Sequence, residues 1–192
     1  ENPGGSFNYN GKEHIFPDTK IVWWAGGNPF HHHQDLNRLI KAWSKPDTII
    51  SNEWCWNALA QYSDIVLPCT TSLERSDLSL TPKDPYLVVM DKALEPVGEA
   101  KDDHEIFKLL AEKLGVESKF TDNKSSEEWQ TWMYNRARQS AAKENVELPS
   151  WEDFKKVGWF KVPDAEKQGV MMEKFVNDPI KFPLSTPSGK IE

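Results

Sequence analysis

Only two cysteines, Cys55 and Cys69, occur in 192 residues. Two thiols cannot build a disulfide framework, and their separation fits no CxxC metal or redox pattern, so both are read as buried and unpaired. No apolar run approaches the roughly 20 residues that a membrane-spanning helix needs. Basic residues are in deficit as well: 23 Lys and Arg against 30 Asp and Glu leave a formal net charge of −7. That balance excludes a nucleic-acid surface, because polyphosphate binding is driven by clustered cations that release counterions, and any phosphate bound here must be held locally. The chain also lacks a P-loop, a GxGxxG fingerprint and an HExxH pair, and its Ser, His and Cys residues show no nucleophile elbow or triad spacing. Hydrolase chemistry therefore has little support.

What is present is ordinary for a globular chain, with 38% hydrophobic and 28% charged residues, and the length fits one folded unit carrying an excursion. The chain opens at Glu1-Asn2-Pro3-Gly4-Gly5 without an initiator Met or an apolar leader and closes at Ile191-Glu192 in what reads as the start of a strand. Both ends are expected to be cuts in a longer protein.

Residues 1–19 are rich in Gly, Asn and Pro and read as a lead-in with at most one short strand. Ile21-Val22-Trp23-Trp24-Ala25, Thr48-Ile49-Ile50-Ser51 and Asp64-Ile65-Val66-Leu67 are short, apolar and β-prone. Between them lie Leu36, Leu39, Ile40 and Trp43 at helical spacing, then a short helical stretch from Asn57 to Tyr62. Strand, helix, strand, helix, strand is the pattern of a parallel sheet with flanking helices. A further strand at 86–90 and a helix from Asp103 to Leu114 complete an α/β core over 20–116, with Gly115 closing that helix. Residues 117–163 read as a helical and aromatic excursion. Ser125-Ser126-Glu127-Glu128 caps a long helix there, and Trp129, Trp132, Trp151 and Trp159 form a satellite core. Residues 164–192 return to a truncated strand.

Polar residues gather where these strands end. Gly26-Gly27-Asn28-Pro29 follows the first strand, the position at which doubly wound folds take ligands, and glycines there let backbone N–H groups approach closely. The same four residues also satisfy a plain turn. His31-His32-His33 cannot chelate one ion, since neighbouring side chains diverge, and a solvated cluster, a metal site or a contact to a bound cofactor remain open. Ser51 and Asn52 end the second strand, as ligand contacts or as turn chemistry. Glu74 and Arg75 read as site groups or as an exposed pair worth little. Asp103 opens a helix, where N-capping is the default role.

Two strings then carry a resemblance. Trp24-Ala25-Gly26-Gly27-Asn28-Pro29-Phe30-His31-His32-His33-Gln34-Asp35-Leu36-Asn37-Arg38 resembles the matching stretch of trimethylamine-N-oxide, dimethyl sulfoxide and biotin sulfoxide reductases. Ser63-Asp64-Ile65-Val66-Leu67-Pro68-Cys69-Thr70-Thr71-Ser72-Leu73-Glu74-Arg75 resembles a signature shared across bis-molybdopterin oxidoreductases. Gly98 to Asp103 and Thr186 to Glu192 are similar to two further shared segments, so the resemblance runs in order along the whole chain. Asn57 and Leu59 depart from it, standing where relatives carry small residues.

The resemblance implies a Rossmann-like third domain of a much larger enzyme in which molybdenum is held by two molybdopterin guanine dinucleotides and a serine lying outside this sequence. The implied reaction is a two-electron oxygen-atom transfer from a small S- or N-oxide, with the cofactor carrying the chemistry and protein groups orienting it. Carried over residue by residue, it places Asn28 near a nucleotide or phosphate and His31 toward the pterin. Ser51 and Asn52 fall at a ribose or guanine, Arg75 at a basic position and Asp103 at an acidic one. Many relatives have Asp in place of Asn52. No catalytic or metal-ligating residue is expected in this segment, which alone should not turn over substrate. The remaining domains of the parent are expected partners, with a c-type cytochrome as electron donor, and the periplasm ranks ahead of the cytoplasm as its compartment. The rivals are another branch of the same cofactor class, of nitrate reductase or formate dehydrogenase type, and a stand-alone binding module.

Overall fold

The computed structural model describes residues 3–80, 84–163 and 170–192. The chain groups into two compact units, Ile21–Ala165 and the pair of segments Glu1–Lys20 with Glu166–Glu192. Among the described residues no helix is long and apolar enough to cross a membrane.

The larger unit holds a three-stranded parallel sheet of β3 (Ile21–Ala25), β4 (Thr48–Glu53) and β5 (Ile65–Pro68), in that order. The β4 strand lies in the middle and buries Ile49, Ser51, Asn52 and Glu53, whereas the edge strands bury no residue fully. Register pairs Ala25 with Asn52 and Asn52 with Leu67, so all three strands end on one side. Successive side chains of a strand face opposite ways, and aromatic contacts show what covers each face. Trp23 packs on Phe107 of α4 (Asp103–Lys113), with ring centroids 5.1 Å apart. Trp24 packs on Trp43 of α2 (Leu36–Trp43), and Phe30 of α1 (Pro29–His32) fills the space between Trp43 and Tyr62, which ends α3 (Ala58–Gln61). A parallel sheet flanked by helices is therefore the architecture, as its βαβ pattern implies.

Several expectations are corrected. Strand Tyr86–Met90 (β7) does not join the parallel sheet: it pairs antiparallel with β6 (Asp77–Ser79) and with β8 (Trp159–Lys161) in a sheet of its own. The expected helical excursion thus returns a strand to the core unit. Its helices are α5 (Glu117–Thr121), α6 (Ser126–Lys143) and α7 (Trp151–Val157). The capping box predicted for α6 is present, with Ser125 and Glu128 serving each other's backbone amides. Tyr134, Leu148, Trp151 and Phe154 form the buried cluster, packed on Leu78, Leu87, Val89 and Phe160 of the antiparallel sheet. Of the four tryptophans expected in that core only Trp151 belongs to it. Trp132 is exposed because the face of α6 that meets the sheet is the one carrying Tyr134, and Trp159 because β8 turns its neighbour Phe160 to the cluster.

In the smaller unit the lead-in is a β-hairpin, β1 (Ser6–Tyr9) with β2 (Lys12–Ile15), turning on Asn10-Gly11 with positive φ at both residues. That is the Asn-Gly turn whose twist suits a two-residue hairpin. A short helix, α8 (Glu173–Asn177), follows in the same unit. The expected terminal strand is not formed: Leu184 N–H donates to Gly189 and Gly189 N–H to Thr186, which closes a turn instead. The first residues of the expected return segment, 164–169, lie outside the described residues.

Candidate functional site

The three parallel strands end at one cleft of about 610 Å³. Gly26, Gly27, Asn28 and His31 line it from the β3–α1 side, and Asn52 to Cys55 with Asn57 from the end of β4. Cys69 to Ser72 and Arg75 follow β5, and Asp103 enters from the start of α4. Asp103 reaches this edge because residue 101 runs beside the end of β5, where Lys101 N–H donates to Pro68 and Thr70 N–H to Lys101. Of the residues expected from sequence, Asn28, His31, Asn52, Arg75 and Asp103 are thus brought together. Ser51 is not. It is buried one residue back on the opposite face of β4, in register with Trp24, and does not line the cleft.

Local chemistry explains each placement. Gly26 and Gly27 both have positive φ, a conformation L side chains seldom adopt, so the turn needs glycine for its backbone and not for space. Asn28 caps α1: its Oδ1 accepts from the Phe30 amide at 3.0 Å, and Pro29 takes the first helical position. Its Nδ2 is buried and has no hydrogen-bond partner among the described residues. Ser51 and Asn52 are extended strand and not turn. Asn52 Oδ1 accepts from Trp23 Nε1 at 3.0 Å, and its Nδ2 donates to Asp103 Oδ1 at 2.8 Å. Asp103 is not the helix cap. Asp102 holds that role, accepting from the Glu105 amide, which leaves the Asp103 carboxylate to the cleft.

Glu74 and Arg75 are not an ion pair. Arg75 donates from Nη1 to the Thr70 carbonyl at 2.8 Å and faces Asp77 through Nε. Glu74 is buried and accepts from Thr71 N–H, Thr71 Oγ1 and Val97 N–H, bonds that hold its carboxyl below the usual carboxylate range. Sequence reasoning left Glu74 between a site group and an exposed pair with Arg75; the signal for the role it has is an acid three places after a Thr in a strand-ending loop. Glu53, which sequence reasoning did not single out, accepts from Asn57 Nδ2 at 2.8 Å. The thiols are unpaired, yet Cys55 is exposed and only Cys69 is sheltered, because the loop after β4 projects into the open cleft. Burial, then the nearby Asp103 and Glu53 charges, pushes the Cys69 thiol up to about 11, so it carries no thiolate at neutral pH.

The site suits a polar ligand that carries both donors and acceptors. Buried atoms without partners, Asn28 Nδ2 and Thr70 Oγ1, belong to residues that line the cleft, and such groups are costly unless something meets them. Arg75 supplies positive charge, while Asp103 and Glu53 supply acceptors. No group of three or more His, Cys, Asp or Glu side chains is placed to hold a metal ion among the described residues.

The chain is similar to known proteins along its whole length. The molybdopterin oxidoreductase family model matches residues 7–113. The chain is 43% identical over its full length to a dimethyl sulfoxide/trimethylamine N-oxide reductase of Cereibacter sphaeroides, covering 24% of that protein. It is 45% identical to a trimethylamine-N-oxide reductase of Haemophilus influenzae and 40% identical to a biotin sulfoxide reductase of Cereibacter sphaeroides, each over 99% of this chain. It spans 24% and 26% of those two relatives. Among solved structures, acetylene hydratase from Pelobacter acetylenicus shares the fold, with a TM-score of 0.57 at 22% identity over 92% of this chain and 22% of that one. The family model's match over more than half of the chain, together with these relatives, makes this chain a member of the molybdopterin oxidoreductase family.

Proposed function

We propose that this chain is the Rossmann-like third domain of a molybdenum-dependent S- or N-oxide reductase, and that its cleft holds the nucleotide part of a molybdopterin guanine dinucleotide. The observation that carries this is the convergence of Asn28, His31, Asn52, Arg75 and Asp103 on one cleft at the strand ends, with Asn28 Nδ2 and Thr70 Oγ1 buried and unmet. Arg75 would face a phosphate, Asp103 would accept N–H donors of the base, and Asn28 and His31 would meet the pterin and phosphate side. Ser51, on the opposite face of β4, would make no contact with the nucleotide. When bound, the cofactor supplies the two-electron oxygen-atom transfer. The chain's own residues bind it, orient it and keep it in place. The names of the relatives support a trimethylamine N-oxide, a sulfoxide or biotin sulfoxide as substrate over the nitrate or formate branches.

The test is made on the full-length protein that contains this segment. Purified protein is expected to release guanine nucleotide and molybdenum on denaturation, and to oxidise reduced viologen with at least one of those three substrates. Asp103→Ala should lower nucleotide and metal content together, whereas Glu152→Ala, on the exposed face of α7, should leave both unchanged. A correctly folded protein that releases neither nucleotide nor molybdenum would defeat the proposal.

A further inference from the structure

Asn52 is only 4% exposed and both ends of its amide are engaged, by Trp23 Nε1–H at 3.0 Å and by Asp103 Oδ1 at 2.8 Å. An indole N–H can only donate and a carboxylate can only accept. That fixes the amide in one orientation, since a flip would set donor against donor at Trp23 and acceptor against acceptor at Asp103. Trp23 is itself held by Phe107, on the same α4 that carries Asp103. Asp102 does the capping, so Asp103 has no helix amide to serve. Its Oδ1 is taken by Asn52, and its Oδ2 makes no hydrogen bond among the described residues.

We infer that Asn52 is a positioning residue. It acts through a Trp23–Asn52–Asp103 relay that turns the Asp103 carboxylate so that one free oxygen faces the cleft to accept N–H donors of the ligand. This rests on the cofactor-binding reading above. Asparagine is suited to the position because it accepts at one end and donates at the other, while aspartate accepts at both and leucine at neither. The charged and titratable groups around Asp103 are Glu53 from β4, Cys69 and Arg75 from the loop after β5, and His31 from α1. Cys55 lines the same cleft, and Asp77, Asp102 and His104 line a second pocket together with Arg75 and Asp103. All are common to the proteins compared below, so a difference in pH profile reports the substituted position.

The experiment measures guanine nucleotide retained by the full-length protein after dialysis from about pH 5 to about pH 8, for wild type, Asn52→Asp, Asn52→Leu and the double variant Asn52→Asp with Asp103→Asn. The first variant sets two carboxylates face to face. At acidic pH one proton bridges them and retention stays close to wild type, and as that proton leaves, like-charge repulsion turns Asp103 away. Retention should then fall about tenfold relative to wild type toward pH 8, the scale of a one-unit shift. Asn52→Leu should lose nucleotide at every pH. In the double variant the introduced amide donates to the introduced carboxylate, which still accepts from Trp23, so the added pH dependence should disappear. Thermal unfolding of each variant separates these effects from folding. An Asn52→Asp profile parallel to wild type would overturn the inference, as would a pH-independent loss tracking a lowered unfolding temperature. Wild-type protein that holds no nucleotide would instead overturn the cofactor reading, and the relay's ligand role with it.

Discussion

Glu74 and Val97 are 23 residues apart in the chain, and Glu74 Oε1 accepts the Val97 amide at 2.9 Å while Oε2 accepts the amide and hydroxyl of Thr71. One carboxylate thus ties the cleft-lining turn to the loop that leads into α4. Arg75, the next residue, is steadied by its own bond to Thr70. The Arg75 guanidinium is therefore set by the Thr70 carbonyl and Asp77, and not by pairing with Glu74.

A pH dependence follows. Three donors favour the ionised form, so the Glu74 carboxyl lies below its ordinary value of 4.5. A depressed carboxylate stabilises the fold fully above the unfolded value, and that contribution is lost as pH falls through the folded one. Exchange protection of the Thr71 and Val97 amides should hold near neutral pH and fail in acid, as pH falls through the depressed folded-state value. Glu74→Gln keeps one accepting oxygen and should lower that protection several-fold already at neutral pH. Equal protection in the two proteins at neutral pH would show that the staple contributes nothing.

Asn28 and His31 should separate by experiment. Asn28→Leu in the full-length protein removes a capping acceptor and the unmet Nδ2 donor, so nucleotide and molybdenum content should fall. The scale is about 1–3 kcal/mol, as for a buried polar group left unpaired. His31→Ala should retain more cofactor but lower turnover per bound molybdenum, since His31 lines the cleft without taking part in α1 capping. If Asn28→Leu leaves metal content unchanged while lowering the unfolding temperature, the turn is structural only.

How much of this was legible in the sequence depends on range. The parallel strands announce themselves as continuous apolar runs, and β4 reads so strongly because it is covered on both faces. The capping box at Ser125 is a local signal and appears where its spacing puts it. The hairpin at Asn10-Gly11 carried an equally local signal, the Asn-Gly pair, that the polar flanking residues obscured. The antiparallel sheet could not be read, because β7 meets β8 only after some 70 residues of helix and loop. In the site, single residues at strand ends were found by position. What they touch was not, since the Asn52–Asp103 bond spans 51 residues and the choice of Asp102 over Asp103 as cap turns on one residue of helix phase.

The satellite core should be stiff to truncation. Tyr134 and Phe154 are both fully buried, stacked 4.4 Å apart at an interplanar angle of 7°. Phe154→Ala should cost about 3–5 kcal/mol through lost contacts and a residual cavity. Tyr134→Phe gives up only the hydroxyl bond to Pro149 and should cost about 1 kcal/mol. Denaturant unfolding of the full-length variants measures both, and a Phe154→Ala change below about 1 kcal/mol would mean that this cluster repacks freely.

The 192-residue chain alone should reduce neither trimethylamine N-oxide nor sulfoxides with reduced viologen, because it spans only about a quarter of its relatives, 24% of one. Turnover that scales with the concentration of this chain, and survives removal of contaminating reductase, would contradict the proposal that the other domains complete the active site.

Adjacent acids at the start of α4 give the sharpest division between fold and site. Asp102 accepts the Glu105 amide at 2.8 Å as the helix cap, whereas Asp103 accepts from Asn52 across the cleft edge. Asp102→Ala should therefore destabilise α4 by about 1 kcal/mol, the usual loss for a capping side chain. That loss should appear as faster amide exchange in the first turn of α4, with nucleotide content close to wild type. Asp103→Ala should do the reverse: the cap remains, exchange in the first turn is unchanged, and nucleotide content falls. Exchange and nucleotide content measured on the same two full-length variants decide the matter. If both properties move together in both variants, the carboxylates share one structural role, and the assignment of Asp103 to the ligand is wrong.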